Sequence, residues 1–143
     1  MAEAQVAAGE EQQGLRERPR SPHLQIYTPL MSMMMSIVHR ITGGALFFGT
    51  LILAWWLAAA AIGPDAYATF MGAADSLVGR IVLFGYTWAL IHHMLGGLKH
   101  FLWDAGYGFN LRLVDVMAWG SLVVSVTLTL AIWYFACTAM GAM

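Results

Sequence analysis

The sequence predicts an all-α membrane protein with three transmembrane helices behind a polar N-terminal tail. Three observations carry this expectation. Of 143 residues, 59% are hydrophobic and only 10% are charged, whereas a soluble domain carries about 25% charged residues. The mean hydropathy is +0.66. Three runs are long and apolar enough to cross a hydrocarbon core of about 30 Å, a task for about 20 residues.

The elements follow in order. Residues 1–20 hold Glu3, Glu10, Glu11 and Glu17 and no apolar core. They do not read as a secretory signal or a transit peptide. They are expected to be a poorly ordered tail within an N-terminal cytoplasmic segment, 1–29, ahead of a membrane domain, 30–143. The chain reads as a complete bacterial protein, or a mature one that has lost a leader. Ile41 to Ile62 is free of charge and predicts a first helix over about 30–62. Gly63-Pro64-Asp65 stops it and opens a loop to about Ser76. Ile81 to Leu98 is interrupted only by His92-His93 and predicts a second helix over about 77–103. A loop with Gly106, Gly108 and Asn110 then runs from Asp104 to Asp115. Val116 to Met143 has no charge and predicts a third helix over about 114–140.

Lys and Arg in the flanks set orientation. Arg16, Arg18, Arg20 and Arg40 precede or open the first span, and Lys99 and Arg112 flank the second loop. The first loop has only Arg80, at its edge. The N-terminus and second loop are therefore expected in the cytoplasm, with the protein multi-pass in a bacterial inner membrane.

Several function classes fall away. A net charge of −1 offers no basic field for nucleic acid. The single cysteine, Cys137, excludes an internal disulfide and a thiolate cluster. No glycine fingerprint for a dinucleotide is present. Three helices bearing Gly43-Gly44 and Gly96-Gly97 as close-approach sites suggest packing against helices of another chain.

Ionisable side chains inside a span mark function. His93, Gly97 and His100 follow i, i+4, i+7 and share a face, with His92 and Lys99 on a neighbouring stripe. In the first helix, Ser36, His39 and Arg40 share a face. Entering near Gly79, the second helix carries His93 about 21 Å along, past the midplane. The two polar faces can meet there. His93 could ligate a haem iron, Gly97 could leave room for the macrocycle, and His39 with Arg40 could hold its propionates. Duller roles stand beside these: Lys99 and Arg40 as snorkelling anchors, Ser36 on a backbone carbonyl, His92 against a neighbouring helix, and Met33 to Met35 as adaptable packing.

Two stretches carry a resemblance. Arg18-Pro19-Arg20-Ser21-Pro22-His23-Leu24-Gln25-Ile26-Tyr27 with Ser36-Ile37-Val38-His39-Arg40-Ile41-Thr42-Gly43, and His93-x-x-x-Gly97-x-Lys99-His100-Phe101-Leu102-Trp103-Asp104, resemble the cytochrome b556 membrane-anchor subunits of succinate dehydrogenase. The resemblance implies that His93 is the axial ligand of a haem b shared with a second small anchor subunit. It further implies that His39 and Arg40 hold the propionates, that Gly97 and His100 border the cofactor, and that Ser36 and Arg40 contribute to a ubiquinone site. His92 departs from the family pattern and leaves a one-residue ambiguity in the ligand. The implied partners are a flavoprotein subunit, an iron–sulfur subunit and the second anchor. The basic, Pro-punctuated segment Arg16 to Tyr27 is the expected contact for them. The chain counts as a subunit of an enzyme that it could not run alone. The alternatives are the anchor of a menaquinone-using fumarate reductase, a non-catalytic anchor or assembly protein, and a self-contained cytochrome in which His39 and His93 ligate one haem.

Overall fold

A computed structural model describes residues 27–139 and 141. Four helices follow one another: α1 Met31–Ile62, α2 Pro64–Asp75, α3 Leu77–Asp104 and α4 Leu111–Ala139. Three of them, α1, α3 and α4, are long and apolar enough to cross a membrane. The expected tail over 1–20 and the segment Arg16 to Ile26 lie outside the described residues.

The bundle has an apolar exterior and an interior in which polar groups sit beside small and apolar ones such as Ala59, Ala89, Ile91 and Ala118. Its buried polar set is Thr42, His92, Ser121, Ser125 and Thr129, while Phe47, Leu51, Phe101 and Leu111 are among many large apolar side chains left exposed. Lipid is as apolar as leucine, so helices in it gain little by hiding leucines from one another. They associate through small residues and interhelical hydrogen bonds instead. The seams show this. Trp133 Nε1 donates to Thr87 Oγ1 at 3.3 Å, and His92 Nδ1 lies 3.2 Å from Ser125 Oγ.

The segment expected as a loop between the first two spans is a helix. Gly63 and Pro64 do end α1, but Pro64 also occupies the first turn of α2, where its fixed φ and missing N–H suit a helix start. Gly63 has φ 137° and ψ −175°, a region essentially closed to side-chain-bearing residues. The turn folds α2 back onto α1, where buried Phe70 meets Trp55 edge to face at 5.0 Å. Ser76 caps α3 by accepting from Gly79 N at 3.0 Å. α4 starts at Leu111, three residues ahead of the expected 114. Asn110 opens it, with Oδ1 accepting from Arg112 N at 3.0 Å and its carbonyl accepting from Val114 N at 2.9 Å.

α1 and α3 run antiparallel with glycines at their contacts. A Cβ on Gly49 would overlap the Tyr86 ring, one on Gly43 would come within 2.9 Å of His93 Cε1, and one on Gly96 would overlap His39 Nδ1. Each glycine is the seat of a ring from the opposite helix.

Candidate functional site

Three of the histidines gather where the N-terminal half of α1 crosses the C-terminal half of α3. The His39 and His93 rings stack at 4.0 Å and 3°. His100 is tilted against His39 at 5.4 Å and lies edge-on to Trp103 at 5.3 Å. The reciprocal glycine seats make this stack possible: without bare backbone at Gly43 and Gly96, two rings could not occupy one crossing.

The hydrogen bonds fix the chemistry of His93. Its Nδ1 lies 3.1 Å from the His39 carbonyl oxygen and 3.4 Å from Thr42 Oγ1. Thr42 itself donates to the same carbonyl at 2.9 Å. A carbonyl can only accept, so Nδ1 is the donor in this contact, and in the neutral ring Nε2 is then the nitrogen with the lone pair. A backbone carbonyl bonded to one ring nitrogen is the usual way a protein orients an imidazole that ligates through the other. One turn on, a Cβ at Gly97 would meet nothing within 4 Å, so the face of α3 that follows His93 is open.

His92 goes elsewhere. It is 1% exposed, stacked on Trp88 at 5.3 Å and paired with Ser125 of α4. Adjacent histidines on a helix point about 100° apart, and here they serve opposite neighbours. Ser36 and Arg40 are both exposed on α1. Among the described residues, neither takes a hydrogen bond or an ion pair. His39 is turned in against α3, so the expected shared face of Ser36, His39 and Arg40 splits into an inward ring and two outward polar groups. His39 Nδ1 is buried with no partner among the described residues. Among those residues no group of three or more His, Cys, Asp or Glu could hold an ion unaided.

Three positions matter more than sequence reasoning gave them. Thr42 steadies the carbonyl that orients His93, Gly96 rather than Gly97 seats His39, and Ser125 takes His92. Thr42 and Gly96 stand beside residues already singled out. Ser125 had no local signal, being one hydroxyl in an apolar run.

Three membrane spans around a crossing packed with imidazoles define a multi-pass membrane protein. Residues 14–132 match the model of the Succinate dehydrogenase/Fumarate reductase transmembrane subunit family, and the chain belongs to that family. It is 41% identical over 121 residues to the succinate dehydrogenase cytochrome b556 subunit of Paracoccus denitrificans, covering 82% of this chain and 92% of that one. With the cytochrome b556 subunit of Rickettsia typhi it shares 39% over 117 residues, 82% of this chain and 91% of the other. A more distant relative is the human mitochondrial cytochrome b560 subunit, 32% identical over 99 residues, 66% of this chain and 57% of that one.

Proposed function

We propose that this chain is the haem b-binding anchor of a succinate:ubiquinone oxidoreductase. In this reading it sits in a bacterial inner membrane with residues 1–29 on the cytoplasmic side, docks a flavoprotein and an iron–sulfur subunit there, and pairs with a second small anchor. The observation that carries the reading is the bond from His93 Nδ1 to the His39 carbonyl, which leaves Nε2 as a ready ligand. The residues fit the group: one oriented imidazole, open space at Gly97, and cationic or proton-bearing side chains at Arg40, His39 and His100. A bound haem supplies a one-electron store beside the path to quinone.

The chain's own residues do the rest. His93 would hold the haem iron together with a residue of the second anchor. His39 and Arg40 would pair with the propionates, and His100 would stand beside them. Ser36 and Arg40, exposed on α1, take the carbonyl oxygen of a quinone shared with neighbouring subunits. Their hydroxyl and fixed cation stabilise negative charge as electrons arrive. A self-contained cytochrome bracketed by His39 and His93 is disfavoured by the stack itself. Those two residues would have to hold the haem between them, whereas their rings are in direct face-to-face contact at 4.0 Å with no room for a macrocycle.

Optical spectra of the succinate-reduced membrane complex test the reading. His93→Leu should abolish or strongly perturb the b-type bands, while His92→Leu should keep them. Unchanged bands in His93→Leu would overturn the ligand assignment. The quinone that copurifies separates ubiquinone from menaquinone chemistry.

A further inference from the structure

The seam between α3 and α4 holds a cation that the proposed function does not use. Lys99 Nζ donates to Ser121 Oγ at 3.4 Å. Ser121 spends its own proton on the Ala118 carbonyl at 2.9 Å, so its oxygen is free to accept. At 1.5 Å per residue, Ser121 lies about 15 Å along α4 from Leu111. The ammonium is thus held within the span. It has three donors and one long bond to a neutral hydroxyl.

Among the described residues no carboxylate answers it. The one ion pair among them joins Asp75 and Arg80, just before and at the start of α3, the other end of the bundle. Around Lys99 and Ser121 lies a groove of about 300 Å³ walled by Leu98 and Leu102 of α3 and by Met117, Gly120 and Val124 of α4. It is a different stripe of α3 from the one that carries His93. A cation in apolar surroundings calls for an anion, and an open apolar groove between spans calls for hydrocarbon. One kind of molecule in a bilayer supplies both.

We propose that the α3–α4 groove binds one anionic phospholipid, with Lys99 taking the phosphate and the leucine-, methionine- and valine-lined wall taking an acyl chain. Basic pockets between spans are suited to such headgroups, and the stem of Lys99, rooted five residues before the end of α3, can also turn its ammonium toward a phosphate at the surface. A zwitterionic lipid fits less well, because its own cation would be brought up to the lysine.

The test uses the intact detergent-extracted complex. Native mass spectrometry counts retained lipid after exposure to vesicles of phosphatidylcholine with and without phosphatidylglycerol. The wild type should keep one phosphatidylglycerol. Lys99→Gln should lose it by about tenfold or more in occupancy, and Lys99→Arg should restore it. Gly120→Leu tests the groove separately. A Cβ there meets nothing within 4 Å, so the added side chain can fill the groove while leaving the charge, and the lipid should again be lost. Equal phosphatidylglycerol in wild type and Lys99→Gln would overturn the proposal. A photoreactive phosphatidylglycerol on the wild-type complex should label residues of this groove. Labelling elsewhere only, or a photoreactive residue at 124 that captures only a partner subunit, would overturn it too.

Discussion

The two ends of the α1–α3 contact use the same construction with different rings. Toward the α1–α2 turn, Gly49 seats Tyr86, and the neighbouring cavity of about 400 Å³ is walled by Trp56, Phe70 and Trp133. Toward the α3–α4 turn, Gly43 and Gly96 seat His93 and His39. Close approach of backbones is therefore a packing device common to both ends. The ends part at Gly43, where the seated ring is an imidazole whose Nδ1 meets a carbonyl. The difference lies in ring identity and hydrogen bonding, since the helix geometry is shared.

Arginines at the two ends offer the largest contrast. Arg40→Leu should cut quinone reduction by about tenfold or more, the scale of losing one charge-assisted hydrogen bond of about 1.5–3 kcal/mol, while succinate oxidation with a soluble dye persists. Arg80→Leu, which breaks only the exposed 3.8 Å pair with Asp75, should leave both rates alone and change stability by less than about 1 kcal/mol. Full quinone reduction in Arg40→Leu would remove the distinction between the ends.

Glycine seats come next. Gly49→Ala and Gly96→Ala should each destabilise the complex by about 1–3 kcal/mol through overpacking, read as a lower thermal midpoint. Only Gly96→Ala should also alter the b-type spectrum, because the ring it displaces lies against His93. A spectral change in both would mean the ends are coupled more tightly than their hydrogen bonds indicate.

The smallest spectral effect is expected at the α3–α4 seam. Ser125→Ala leaves His92 Nδ1 buried without its partner, at a cost of about 1 kcal/mol and up to 3. The spectrum should stay close to native, because Thr42 and the His39 carbonyl still hold His93. Loss of the haem bands in this variant would point to His92 as the ligand.

The long spans were legible because a charge-free run of that length has few other uses. α2 was not, because Gly63-Pro64 carries two meanings: it stops one helix and, through proline at a first turn, starts the next. The clustering of the histidines in a span was legible from the sequence, and their cost in lipid singled the stretch out. The assignment of each ring to a neighbour was not. Whether Gly96 or Gly97 meets α1 depends on how α3 is rotated, and that is fixed by partners far away in sequence, such as Ser125. The inward turn of His39, away from the exposed Ser36 and Arg40, has the same origin.

The reciprocal glycine seats also act as a proofreading device. If α3 slid along α1 by one turn, about 5.4 Å, the rings of His93, His39 and Tyr86 would all leave their bare-backbone seats at Gly43, Gly96 and Gly49. Such a misaligned pair could not close. A freshly inserted chain thus has a built-in ward-and-key check on its own alignment before any other subunit arrives.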